Sequence, residues 1–97
     1  MDFLTPQPNE ITIYSKSGCP NCLKTKQLLT KYNLNYKIIN CDEYLLENKG
    51  DFLQFIEKLA GKEYKIFPMV FDNKIFIGGF NETETYVDEL LTFNATF

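Results

Sequence analysis

Polar and apolar positions alternate along Glu10-Ile11-Thr12-Ile13-Tyr14, and the β-branched and aromatic side chains predict a first strand there. Ser15 to Gly18 is turn chemistry. From Pro20 to about Tyr32 the spacing becomes helical, with Leu28, Leu29 and Tyr32 facing inward and Lys24, Lys26, Gln27 and Lys31 facing water. Pro20 suits the first helical turn, where its missing N–H would have no partner, and Asn33 is a stop signal. Asn35-Tyr36-Lys37-Ile38-Ile39-Asn40 predicts a second strand, and a strand, helix and strand in so short a span imply a right-handed parallel crossover. Residues 41–47 read as a helical turn. Residues 51–60 read as a helix with Phe52, Phe55, Ile56 and Leu59 on one face, ended by Gly61. Met69-Val70-Phe71 and Lys74-Ile75-Phe76-Ile77, joined at Asp72-Asn73, predict a tight antiparallel hairpin that Gly78-Gly79 closes. Tyr86, Val87, Leu90 and Leu91 share a stripe over residues 82–92, a final helix covering the sheet. The order β-α-β-α-β-β-α is an α/β fold: a four-stranded mixed sheet flanked by helices.

Residues 1–9, with Pro6, Pro8 and Asn9, carry no periodicity and read as a loose lead-in. The whole chain, 97 residues and 44% hydrophobic, suffices for one ordinary core, so a single domain over 1–97 is expected. A formal net charge of -3 and a pI near 4.9 give no general reason to bind nucleic acid or an anionic membrane surface. No apolar run is long enough to cross a bilayer, and the N-terminus lacks the basic start and apolar core of a secretory signal. A reducing, cytoplasmic setting and a monomer are therefore the expectation. The chain has no histidine, which excludes Cys-His proteolysis and His-containing zinc sites.

The candidate chemistry lies where the first strand meets the first helix, in Cys19-Pro20-Asn21-Cys22. Thiols three positions apart at a first helical turn lie on one side, close enough for a disulfide to open and close without refolding. Unpaired N–H groups and the helix dipole also favour a thiolate at Cys19. The pair reads as a redox site with Cys19 as nucleophile and Cys22, deeper in the helix, as the less exposed resolving thiol. As half of a structural zinc site it lacks partners, since Cys41 is the one further cysteine. Cys41 reads as a small buried hydrophobe.

Three landmarks in order, Tyr14 through Cys22 followed by a helix, then Phe67-Pro68-Met69-Val70-Phe71, then Ile77-Gly78-Gly79-Phe80-Asn81, make residues 10–92 resemble a dithiol glutaredoxin, a family with the thioredoxin-like fold. The resemblance implies a glutathione-dependent thiol–disulfide oxidoreductase acting on protein disulfides and protein–glutathione mixed disulfides, with glutathione as cosubstrate and no tightly bound cofactor or metal. It implies a cis bond before Pro68 that exposes the backbone of Phe67 to a bound peptide. It assigns Lys16 to the glycyl carboxylate, Gly79 and Phe80 to close backbone approach, and Asn81 and Glu82 to the γ-glutamyl end, with Asn81 as an N-cap. Lys62 and Lys65 are further candidates for carboxylate binding. Asn21 stands where many relatives carry tyrosine, Ile66-Phe67 where they carry Thr-Val, and Glu82 where they carry aspartate. Against the family pattern, Asn21 removes an aromatic wall next to the sulfur, the bulk of Phe67 implies a reshaped groove and a changed range of targets, and the extra methylene of Glu82 implies a weaker contact with the glutamyl ammonium. Targets such as ribonucleotide reductase fit the resemblance. So do two other activities: a glutathione-ligated [2Fe-2S] carrier, and a thioredoxin-like electron donor served by a reductase.

Overall fold

Strand β1 (Ile11–Ser15) runs through the middle of the structure, and all five of its side chains are buried. The computed structural model describes residues 2–95. The alternation of β1 does not translate into one wet face, because helices cover both sides of the sheet. Thr12 is buried with Ile13, and its Oγ1 accepts the Gln7 N–H at 2.9 Å. Strand order is β2-β1-β3-β4, with β2 (Tyr36–Asn40) parallel to β1 and β3 (Met69–Asp72) antiparallel to it. Ile13 thus lies between Ile38 and Val70. Strand β4 (Ile75–Gly78) pairs antiparallel with β3 at the outer edge. Asp72 is the last residue of β3, so the hairpin turn falls one residue later than the sequence suggests, where Asn73 takes a positive φ of 58° that asparagine tolerates.

Helix α1 (Pro20–Lys31) starts on Cys19 as N-cap and is followed by Asn33 at φ 57°. Helix α2 (Asp42–Ala60) joins the expected helical turn and the expected helix into one element, kinked at Asn48 (φ -144°, ψ 48°) and stopped by Gly61 in the left-handed region at φ 78°. Helix α3 (Phe80–Ala95) begins earlier than its apolar stripe indicates. Gly79, not Asn81, takes the capping position: its carbonyl accepts the Thr83 N–H at 3.0 Å, and its own N–H donates to Glu82 Oε1 at 2.8 Å. This is the reciprocal half of a capping box, with Asn81 one turn position too far in to cap.

Two apolar layers result. Tyr14, Ile39, Phe52, Ile56, Phe67, Met69 and Phe71 pack on one face of the sheet with Cys22 and Cys41, while Ile11, Ile13, Leu29, Val70 and Val87 fill the other. The lead-in read as loose is held against the first layer. Phe3 meets Tyr44, Phe52 and Phe55 at ring distances of 4.9, 5.5 and 5.2 Å, and the Leu4 carbonyl accepts the Tyr14 hydroxyl at 2.6 Å. Its aromatic anchor, Phe3, belongs to no periodic pattern. Among the described residues no helix is long and apolar enough to cross a membrane.

Candidate active site

Strand β1 ends in the loop that carries Cys19, and the loop is pinned from the next strand–helix junction. Ser15 C=O accepts the Cys41 N–H at 2.8 Å. The Asp42 carboxylate, in the first turn of α2, accepts the Ser17 N–H at 2.9 Å and the Ser17 hydroxyl through its other oxygen. These two hydrogen bonds hold the Asp42 carboxyl below the usual carboxylate range, with a smaller contribution from Lys16. Asp42 was not among the residues the sequence points to. Its partner lies in another element, and a first-turn acidic residue on a helix reads as ordinary capping chemistry.

Cys19 and Cys22 form a disulfide with Cα atoms 5.2 Å apart. Cys19 is half-buried, Cys22 is 1% exposed, and the Cys22 N–H donates to Cys19 Sγ at 3.1 Å. The outer sulfur is therefore the one a partner can reach, and it sits in the field of the helix N-terminus. The pair borders a cleft of about 490 Å³ whose other walls include Lys16, Gly18, Leu23 and Lys26.

The Phe67–Pro68 bond is cis, and the Phe67 carbonyl oxygen lies 3.7 Å from Cys19 Sγ. This segment therefore presents backbone beside the reactive sulfur. The Phe67 ring is 8% exposed. It turns into the core and stacks on Phe52 (6.3 Å, 11° between planes), while Lys16 Nζ sits 5.3 Å from its centroid. Lys16 and Phe67 also line a cavity of about 250 Å³ with Lys49 and Lys65. Lys65, in an exposed ion pair with Glu63 at 3.2 Å, is thus on the Lys16 side of the molecule. Lys62 stands over Phe76, 5.8 Å from its ring, and does not join that group.

The remaining predicted residues divide. Gly79 is next to the proline loop: a Cβ built on it would come 3.6 Å from the Pro68 carbonyl oxygen. Phe80 lies under Lys24 of α1, whose Nζ is 5.8 Å from its ring. Asn81 and Glu82 line a separate groove of about 420 Å³ between β4 and α3, together with Phe76 and Tyr86. Asn21 is exposed and does not line the cleft beside the cysteines, and its carbonyl accepts the Thr25 hydroxyl at 2.7 Å. Tyr64, which no motif singled out, brings its hydroxyl beside Gly79, where a Cβ would come 2.8 Å from it, and packs edge-on against Phe76 at 4.8 Å and 71°. Cys41 is fully buried, and burial, the largest cause, pushes its thiol up to about 12.

The model of the Glutaredoxin family matches residues 11–77, from β1 through the hairpin. Human "Glutaredoxin-2, mitochondrial" is 35% identical over 79 residues, 81% of this chain and 46% of that protein, so the chain spans about half the length of this relative. Among solved structures, glutaredoxin 1 from Francisella tularensis, crystallised with cacodylate, aligns with a TM-score of 0.74 at 25% identity over 86% of this chain and 96% of its own. A buckwheat glutaredoxin–glutathione complex aligns with a TM-score of 0.64 at 28% identity over 87% and 74% of the two chains. A matched family model covering the cysteine pair and the cis proline, with sequence relatives and folds that agree, settles the membership: this chain belongs to the glutaredoxin family.

Proposed function

We propose that the protein is a glutathione-dependent thiol–disulfide oxidoreductase that reduces protein disulfides and protein–glutathione mixed disulfides. The observation that carries this reading is the half-buried Cys19 sulfur at the N-terminus of α1, 3.7 Å from the carbonyl oxygen of a cis-proline segment. An extended cysteinyl peptide pairing with the Phe67 backbone would bring its sulfur to Cys19. The glutathione bound in the buckwheat relative's structure supports the choice of thiol.

On a glutathionylated protein, the Cys19 thiolate attacks the glutathione sulfur. The protein–glutathione S–S bond breaks, a Cys19–glutathione bond forms, and the protein leaves as a thiolate that takes up a proton. A second glutathione thiolate then attacks the glutathione sulfur on Cys19, giving glutathione disulfide and restoring the Cys19 thiolate. On a protein disulfide, Cys19 forms a mixed disulfide with the target. The Cys22 thiolate then attacks Cys19 Sγ, releases the reduced target and leaves the Cys19–Cys22 disulfide, which two glutathione molecules reduce. No tightly bound cofactor is needed. A reducing compartment with a glutathione pool, such as the cytoplasm, is where this cycle runs, since glutaredoxin potentials near about -200 to -230 mV lie within reach of that pool.

The test is turnover of a glutathionylated peptide and of a protein disulfide, with glutathione as sole reductant. Cys22→Ser is expected to keep the first activity and lose the second, and Cys19→Ser to lose both. Activity surviving in Cys19→Ser, or turnover supported by a reductase and not by glutathione, would overturn the reading.

A further inference from the structure

The sheet ends at β4, and among the described residues no other strand pairs with its outer side. Backbone groups on that side are open to an incoming extended chain, and Ile75–Gly78 carries neither a proline nor a charged side chain to block one. Beside this edge runs the groove of about 420 Å³ between β4 and α3. Ile75, 70% exposed, and Ile77 line it from one face of the strand. Thr85 and Tyr86 line it from the helix, where the Tyr86 hydroxyl is tied to the Asp72 carboxylate. The charged residues of the lining, Glu82 and Glu89, are both acidic. Two helical turns separate them, about 10 Å along the axis, which is too far for one small cation to serve both. The groove also adjoins the reacting site. It starts at Asn81 and Glu82, and a Cβ on the preceding Gly79 would come 3.6 Å from the Pro68 carbonyl oxygen, while the Phe67 carbonyl oxygen is 3.7 Å from Cys19 Sγ.

We propose that β4 and α3 form a docking surface for an extended basic segment that flanks the reactive disulfide of a protein target. The inference rests on the oxidoreductase reading above and deepens it by naming a class of protein substrate. The segment adds to the free edge of β4 as a further strand, and main-chain hydrogen bonds supply part of its affinity. Every second side chain of such a strand turns toward α3. An apolar one covers Ile75, and cations two positions to either side of it, about 13 Å apart along an extended chain, reach Glu82 and Glu89. The recognised pattern is therefore lysine or arginine, any residue, an apolar residue, any residue, lysine or arginine. A second copy of this chain fits the edge less well, because pairing β4 with β4 would set two acidic grooves side by side.

The test uses the full chain and two end-blocked, cysteine-free peptides, Lys-Thr-Val-Thr-Lys and its counterpart with glutamate at both ends. In amide NMR titrations the lysine peptide is expected to shift the resonances of Ile75, Ile77 and Glu89. It should bind about five- to tenfold more tightly than the glutamate peptide and lose that advantage near about 1 M salt, where the screening length falls to about 3 Å. Glu89→Lys, at an exposed helix position, should remove most of the preference, and Ile75→Lys, at an exposed strand position, should weaken the lysine peptide at least about fivefold. The same two sequences are then joined by a flexible linker to a peptide closed by an internal disulfide, with glutathione as reductant. The lysine tail should lower KM about fivefold at similar kcat, and Glu89→Lys should cancel that difference. No shifts at millimolar peptide, shifts centred on Lys16 and Lys65, equal binding of both peptides, or binding without a lower KM would overturn the inference. Resonances of β4 that move with protein concentration in the absence of peptide would give the edge to a second copy and overturn it too. Failure of every disulfide substrate to turn over rejects instead the oxidoreductase reading, an outcome to which the cysteine-free titration is blind.

Discussion

Replacing Phe67 by valine tests whether its ring belongs to the core or to the groove. Phe67 is 8% exposed and stacked on Phe52, which is fully buried, so truncation removes buried ring atoms from a packed layer. Truncating a buried phenylalanine to alanine costs about 3–5 kcal/mol, and the two methyl groups that valine retains restore about 0.8 kcal/mol each. The expected loss is about 1.5–3.5 kcal/mol, including the parallel ring contact. The Lys16 contribution is small at an exposed ammonium. With a urea m-value of about 1.5 kcal/mol/M, the unfolding midpoint of the oxidised protein should fall by about 1–2 M. The backbone of residue 67 stays in place, so the single-turnover rate with a glutathionylated peptide should remain within about threefold, far less than loss of a reacting group would cause. A midpoint shift below about 0.3 M, with a large change in rate or substrate choice, would place the ring in the groove and refute the reasoning.

Other expectations follow from the same geometry. Asp42→Ala removes the acceptor of both Ser17 bonds, so hydrogen exchange at the Ser17 amide should accelerate at least about tenfold at neutral pH, a measure of local opening. Because the folded state depresses the Asp42 pKa, this clamp contributes fully above the ordinary carboxylate range and is lost only as pH falls through the lowered value; exchange in wild type should show that acid onset, and Asp42→Ala should not. Burial raises the Cys41 thiol to about 12, and the bond to Asp72, with a smaller part from burial, raises the Tyr86 phenol to about 12, so above about pH 9 the unfolded chain releases protons that the folded chain keeps. Urea stability should therefore decline as pH rises from about 9 toward 12, and Cys41→Ala should flatten the earlier part of that decline. Gly78 has φ 134° and no room for a Cβ against Glu82, so Gly78→Ala should destabilise by about 1–3 kcal/mol in urea unfolding.

Most of the scaffold was legible because its signals are local. The alternation before Ser15, the proline after Cys19 and the paired short runs around Asn73 each specify geometry within a few residues. The start of α3 was misplaced because its cap is a glycine without a side-chain acceptor, and the reciprocal Glu82 reads simply as a helix residue. The fixed lead-in depends on Phe3 finding a pocket between Tyr44, Phe52 and Phe55, which no local pattern encodes. The site shows the same division. Cys19, Cys22 and the cis proline came from contiguous motifs, with the cis bond implied by family resemblance. Asp42 acts on a residue 25 positions away, Tyr64 meets Gly79 only across the fold, and the inward turn of Phe67 depends on where Phe52 stands. Asn81 shows the converse, a residue placed by motif at a capping position that the fold gives to Gly79.

The most direct test of the central claim is to trap the first covalent intermediate. Reduced Cys22→Ser protein is mixed with one equivalent of glutathionylated peptide, quenched with acid, and mapped by peptide mass spectrometry. The account predicts a single glutathionyl group on Cys19, free peptide thiol, and no adduct on the buried Cys41. The peptide on Cys19 in place of glutathione, or an unmodified Cys19 beside intact substrate, would contradict it.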